Sequence, residues 1–543
     1  MAQVTIRSLG RSSAYGAIAQ IWHIGSRFVL TPLIIAKLGL EGYGVWTLLF
    51  TLCAYVSVIN TSFGISYSKF TAEYDAKRDY RSLAQILGSG MMLIGSIAVV
   101  ALTVLWLCRL PILRTLRVPH DMLPQAGDAL LVVSVCVLVR MSVGCVFQVL
   151  AGLQRLDLQY KMQILASGIE FVVSIVLLYR GWHLLALALG HLCGQLGGTG
   201  VAWALCRRLC PAIRISPLKA TVWGVRRVVS LGGRFQILAL LNLFFQQGIR
   251  LLLSGFLGVS MLAVFEIAYK LLALGAAFGG AVIAPLMPAF SNLHASGSHG
   301  RFLSLYDRGS KVVSLVCMPC FAFLAVFADQ LIVLWTANEY PLAAWTVRWM
   351  AVAMFVNMLT GVGTASLRGR GTVGMEVSYS VINVAICFVL FAPCCLLWGY
   401  RGSVGAIVTG LIVGSVWFLV SFARRESYGL ARYFREILLR PALAFGPVIA
   451  LAAALAPVLQ VHMAFASRRV GALVDVLLCG ILFTAAIVVC GWFAVLSGAD
   501  RAEVARLLTG RKGFTLRGLP DDAGEEHPTH GGVSQPATGD QLG

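Results

Sequence analysis

YGAIAQIWHIGSRFVLTPLIIAK (Tyr15–Lys37) reads as one membrane-spanning helix. A spanning helix needs about 20 mainly apolar residues to cross a hydrocarbon core of roughly 30 Å. The run is too long for the apolar stretch of a cleaved leader, lacks a small-residue cleavage site and carries Arg27 in its interior. Working outward, thirteen more segments of the same kind fill the chain: 43–66, 83–108, 127–151, 162–179, 183–206, 230–255, 260–285, 310–334, 342–366, 374–398, 401–422, 441–460 and 470–496. The expected architecture is an all-α polytopic membrane protein with 14 transmembrane helices. Composition excludes the alternative of a soluble globule. Charged residues make up 12% of the chain, against about 25% in soluble domains, and the mean hydropathy is +0.83.

The net charge of +20 follows the same segments. Lys and Arg crowd alternate linkers, with Arg207, Arg208, Arg214, Lys219, Arg226 and Arg227 after the sixth segment and Arg424, Arg425, Arg432, Arg435 and Arg440 after the twelfth. Cytoplasmic loops carry such excesses, so the chain is expected in the bacterial inner membrane with both termini cytoplasmic, and no nucleic-acid partner is implied. Most of the 14 Cys lie inside apolar segments and read as small core- or lipid-facing side chains. No metal-ligand spacing and no cofactor motif is present, and no G-x-x-x-x-G-K-[ST] phosphate loop. No external linker is long enough for a catalytic domain.

The chain reads as duplicated. LGLEGYGVW (Leu38–Trp46) joins the first two segments, and SGFLG (Ser254–Gly258) holds the equivalent place between the seventh and eighth. KFTAEY (Lys69–Tyr74) and AFSNLH (Ala289–His294) then reach a cytoplasmic loop in each half. Repeats six helices apart share one orientation, and such parallel repeats typically enclose a substrate site between two lobes. The expected organisation is an N-terminal lobe at 1–210, a basic linker at 211–229, a C-terminal lobe at 230–423, a terminal helix pair at 424–497 and a disordered cytoplasmic tail at 498–543.

Five basic residues fall inside segments: Arg27, Arg140, Arg250, Lys270 and Arg348. A charge at the centre of a spanning helix costs about 2.5–3.5 kcal/mol on insertion scales, so it usually faces a polar interior. Arg27 shares a helical face with Gln20, His23 and Thr31; Arg250 shares one with Asn242, Gln246 and Ser254. These two stripes are expected to line one cavity from opposite sides, with Pro32 as a kink point. Either Arg could instead snorkel or bind a neighbouring helix. Lys270 follows Glu266 by four residues, which fits an internal ion pair as well as a cavity cation. Arg140 and Glu266 are candidates for ion pairing or coupling, and Arg348 for snorkelling. The main intramembrane acids are Glu170, Glu266 and Glu376. A cavity richer in Arg and Lys than in acids favours phosphate or carboxylate.

LGLEGYGVW, FGISYSKFTAEYDAKRD (Phe63–Asp79), LAGLQRLDLQY (Leu150–Tyr160), IRLLLSGFLG (Ile249–Gly258) and VFEIAYKL (Val264–Leu271) together resemble the Wzx-type polysaccharide flippases of the multidrug/oligosaccharidyl-lipid/polysaccharide (MOP) exporter superfamily. The resemblance covers roughly the first 420 residues. It implies two parallel-related six-helix lobes of the MATE type plus a terminal pair. It also implies a substrate, an undecaprenyl-diphosphate-linked oligosaccharide moved between leaflets, whose diphosphate would meet Arg27, Arg250 and Lys270. Membrane lipids and the polysaccharide polymerase and export machinery are the partners it suggests. One departure stands out: Ile249 precedes Arg250 where relatives often carry an acid, which disfavours cation coupling at that helix. A cation or drug exporter of the same superfamily is the alternative, and a membrane polymerase or ligase a more distant one.

Overall fold

The computed structural model describes residues 6–211, 213, 216–372, 374–455, 468–495 and 501, and every long element among them is a helix. The expected tail, Arg501 apart, lies outside the described residues. The first helix, Ile6–Ala76, is broken at Gly39, which divides it into α1 (6–38) and α2 (40–76). There follow α3 (Tyr80–Leu107), α4 (Leu123–Val143), α5 (Leu156–Tyr179), α6 (His183–Leu209), α7 (Val222–Leu257), α8 (Val259–Ile283), α9 (His299–Val326) and α10 (Pro341–Gly369). Gly374–Arg425 is broken at Gly399 into α11 (374–398) and α12 (400–425). Arg440–Leu455 (α13) and Arg468–Cys490 (α14) complete the bundle.

Among the described residues, eleven stretches are long and apolar enough to cross a membrane. Two of them, Ile18–Val58 and Gly374–Arg425, contain a break and so carry two expected segments each. α7 adds a helix of 36 residues. The arrangement accommodates the fourteen expected spans. Apolar side chains point outward from it in a way water would not tolerate: Leu477, Leu478, Ile481 and Leu482 of α14 are each more than half exposed. Large exposed apolar patches on a helix face mark a membrane or partner surface. The chain is a multi-pass membrane protein.

The backbone records the duplication. Helix breaks with positive φ occur at Gly39, Arg78, Arg117, Gln154 and Gly181, and again at Gly258, Gly297, Ala337, Gly371 and Gly399. Each matched pair lies about 219 residues apart. Gly39 (φ 75°, ψ 177°) and Gly258 (φ 88°, ψ 171°) adopt nearly the same conformation, one that a Cβ would disfavour. Each half therefore turns its helices at the same places.

Two large apolar cores follow the same division. One is built chiefly from α2–α6, around Leu48, Leu87, Leu130 and Val149; the other chiefly from α8–α12, around Leu272, Val313, Val347 and Phe418, and it reaches across to Leu30, Ile34 and Tyr43 of the first half. A small third core of Phe327, Phe445, Phe483 and Ile487 seats α13 and α14 against the end of α9.

The halves meet near the Gly39 and Gly258 turns. A Cβ on Gly44 would lie 2.1 Å from the carbonyl oxygen of Val259, so only glycine allows this approach. Ser260 donates to Glu41 at 3.1 Å, and Ser254 to the Leu116 carbonyl at 2.6 Å. Pro32 has a more specific role than a kink. The helical geometry of α1 runs through it and fails only at Gly39. Lacking an N–H, Pro32 leaves the Phe28 carbonyl without its helical partner. Trp335 donates its indole N–H to that oxygen at 2.8 Å and stacks on the Phe28 ring at 4.2 Å.

Candidate functional site

A cavity of about 270 Å³ opens between the halves. α1 contributes Arg27, Leu30, Thr31 and Ile34, spaced three or four apart as one helical face. From α2 come Tyr43, Trp46, Thr47, Phe50, Thr51 and Ala54, again one face. α5 adds Glu170 and Ser174; α7 adds Gln247 and Arg250; α8 adds Glu266 and Lys270.

Each cation in this lining is held differently. Arg250 is the most restrained. Its Nε donates to Glu266 Oε1 at 2.5 Å, its Nη1 to the Gln246 carbonyl at 2.5 Å, and its guanidinium lies 5.2 Å from the Tyr269 ring centre. Both partners of this pair are buried, with side-chain exposures of 13% and 6%. Removing one partner from a buried pair typically costs about 3–5 kcal/mol, because the other charge stays buried. Arg27 is looser: its Nη2 lies 3.6 Å from Glu170 Oε1, its side chain is 43% exposed, and it covers the Phe50 ring at 5.6 Å.

Lys270 is the distinctive one. It donates to the Thr31 hydroxyl at 2.8 Å and sits 4.9 Å from the Tyr43 ring. Among the described residues no carboxylate lies within ion-pair distance of it. The internal Glu266–Lys270 pair allowed by their spacing is not made, because Glu266 turns to Arg250 on the neighbouring helix. Three lining cations against two lining carboxylates leave the cavity one unit positive.

The other expected site residues divide. Thr31 joins the cavity and links Lys270 to α1, since its hydroxyl also donates to the Arg27 carbonyl at 2.8 Å. Gln246 participates through its backbone only, and its side chain is exposed. The Asn242 side chain lies outside the described residues. Gln20 is exposed, His23 is half-buried, and neither lines the cavity; nor does Arg140, which is exposed on α4. Arg348 pairs with Asp329 at an exposed position, and Glu376 pairs with Arg368 away from the cavity.

Two contributors were not anticipated from the sequence. Glu170 was visible as an intramembrane acid, but its place opposite Arg27 was not. The α2 face was overlooked because it carries no charge, although its helical spacing of aromatic and threonine side chains was there to read. The equivalence of the two helices does not set Arg27 opposite Arg250 in the repeat. Arg27 lies twelve residues before Gly39, and Arg250 eight before Gly258. The true counterpart of Arg250 is Thr31, and that of Arg27 is Gln246, one helical turn away on the same face.

A family model for polysaccharide biosynthesis proteins matches residues 34–344, more than half of the chain. The chain belongs to that family. No curated protein matches it in sequence. Its fold is that of the MOP superfamily. A structure described as the inward-facing conformation of a multidrug resistance MATE family transporter superimposes with a TM-score of 0.65 at 14% identity, covering 77% of this chain and 98% of that one. The lipid II flippase MurJ, in an inward closed conformation, gives 0.66 at 12% identity, covering 88% and 98%. A MOP transporter from Pyrococcus furiosus, described as having a binding pocket of reversed polarity, gives 0.53 at 16% identity, covering 77% and 96%.

Proposed function

We propose that this polysaccharide biosynthesis protein is a flippase that carries an undecaprenyl-diphosphate-linked oligosaccharide across the bacterial inner membrane. Its lobes, 1–210 and 230–423, would rock about the cavity between them, with 211–229 as linker, 424–497 as a terminal pair and both termini cytoplasmic. The chain would act as a carrier rather than an enzyme, with the lipid-linked sugar and membrane lipids as its partners and polymerase and export machinery downstream.

The observation that carries this reading is the cavity's excess of one positive charge, centred on Lys270. An anionic diphosphate offsets the desolvation of such a group better than any neutral solute. Lys270 is therefore the first anchor, Arg27 the second, and Arg250 a scaffold already satisfied by Glu266. A cation exporter would need an unengaged lumen acid, whereas both lining carboxylates face arginines.

The test is a deletion strain complemented with wild-type or Lys270→Ala protein. Deletion should remove surface polysaccharide and accumulate lipid-linked oligosaccharide in the inner leaflet. Lys270→Ala, at unchanged abundance, should reproduce much of that loss. Normal polysaccharide in the deletion strain would sink the proposal.

A further inference from the structure

Behind Arg27, the Glu170 carboxylate is approached from two sides at one atom. Arg27 Nη2 lies 3.6 Å from Oε1, and His191 Nδ1 lies 3.2 Å from the same oxygen. His191 is 6% exposed, and its buried Nδ1 has no hydrogen-bond partner by strict geometry. The imidazole is held in place: Phe50 packs edge-on against it at 4.9 Å, and its backbone carbonyl accepts from Cys136 Sγ at 3.7 Å. α5 and α6 are pressed together on either side of it. A Cβ on Gly190 would meet Ser174 Oγ at 2.1 Å, and one on Gly194 would meet Glu170 Cβ at 2.9 Å. A buried, unbonded imidazole nitrogen facing a cavity carboxylate is unusual in a satisfied core, where buried polar atoms are nearly always bonded.

We propose that Glu170 and His191 form a proton-binding site that sets the charge of the cavity by holding or releasing Arg27. With His191 neutral, the carboxylate's partner is the Arg27 guanidinium, and the two charges cancel. Uptake of one proton makes the imidazole a cation with a hydrogen on both nitrogens, whichever tautomer preceded it. The imidazolium then takes the Oε1 atom that Arg27 had shared. Arg27, already 43% exposed, is left beside Lys270 as a second cation without a carboxylate partner. No bond other than N–H forms or breaks, and the cavity gains one unit of charge.

Other titratable groups face this site and act on the same equilibrium. α1 contributes Arg27 and His23, and α4 contributes Arg140 and the Cys136 thiol. Arg250 and Lys270 stand across the cavity. His23 is the rival proton acceptor, half-buried one turn before Arg27 on α1, and the test separates the two.

Proton and anion binding are then linked, and each must strengthen the other by the same factor, typically 5- to 150-fold. The proposal rests on the flippase reading only in its choice of anion. Full-length protein in nanodiscs is titrated by infrared difference spectroscopy, which reads imidazole and carboxylate protonation directly. Binding of inorganic pyrophosphate is measured on the same samples.

Wild type should show an imidazole titration that perturbs the Glu170 carboxylate band. Pyrophosphate affinity should rise roughly tenfold as pH falls through that titration. His191→Gln should remove both effects and leave affinity low at every pH. Glu170→Gln should leave affinity high at every pH, since Arg27 is never engaged. His191→Asn provides a second neutral variant should the glutamine pack poorly. The proposal is overturned if the perturbation of the carboxylate band survives both His191 variants, or disappears in His23→Gln. Pyrophosphate that binds at no pH would instead count against an anionic substrate, and the infrared titration would still decide the proton site.

Discussion

Counted from Gly39, the first half presents Arg27, Thr31, Thr47 and Thr51 at the cavity positions of its helix pair. Counted from Gly258, the second half has Gln246, Arg250, Glu266 and Lys270 at the equivalent places. The backbones repeat, but the chemistry does not. A threonine in a helix can satisfy itself: Thr31 donates to Arg27 O at 2.8 Å and Thr51 to Thr47 O at 3.0 Å. A buried Arg or Glu needs an opposite charge within reach. The second half supplies that charge within its own pair of helices, as Arg250 and Glu266. The first half has no acid at the cavity positions of its pair, so Arg27 looks to Glu170 on α5. One half thus carries a rigid ion pair, and the other a loose one whose acid is shared with a histidine.

Four tests bear on this contrast, from the largest effect to the smallest. Glu266→Gln leaves Arg250 buried without a counter-charge and should destabilise the fold by about 3–5 kcal/mol. Combining it with Arg250→Gln should recover much of that loss, read as thermal retention of the monodisperse detergent-solubilised protein. Equal stability of single and double variants would show that the pair is not the restraint described.

Lys270→Gln removes a charged contact of the kind worth about 1.5–3 kcal/mol to a bound anion. Transport in the complemented deletion strain should fall by roughly tenfold or more, with protein abundance unchanged. Thr51→Ala, its counterpart in the first half, should change transport little. Similar losses at the two positions would erase the asymmetry.

Gly44→Ala forces a methyl against the Val259 carbonyl and should cost about 1–3 kcal/mol by overpacking. Gly25→Ala on α1 has nothing within 4 Å of the added carbon and serves as the control. Equal melting of the two variants would mean the halves do not meet at Gly44. The smallest effect belongs to Trp335→Phe, which keeps a ring against Phe28 but leaves the carbonyl freed by Pro32 without its donor. A loss of about 0.5–1.5 kcal/mol is expected. Unchanged melting of this variant would show that water replaces the indole there.

Much of the fold could be read because membrane insertion depends on local composition. Apolar runs of sufficient length, and basic residues between them, say where the chain crosses. Arg27, Arg250 and Lys270 could be placed on the cavity for a related reason: a charge in an apolar helix is costly unless it faces something polar, and Thr31 shares the face of Arg27. Gln20 and His23 share the face of Arg27 but lie outside the lining of this cavity, since sharing a face does not place a residue at the same depth. The α2 wall carries no such cost and gave no signal.

By itself, then, the sequence determined the helices, the duplicated turns and the presence of charges that needed an interior. Only the tertiary structure decided which charges meet. The spacing of Glu266 and Lys270 suits an ion pair, yet Glu266 faces Arg250 at 2.5 Å and leaves Lys270 to a threonine hydroxyl. The reason is physical. Helical periodicity gives the direction of a side chain around its own axis, whereas its partner depends on the register and approach of another helix. At this site that approach is set by turns such as Gly258 and contacts such as Gly44 on Val259, which no local pattern encodes.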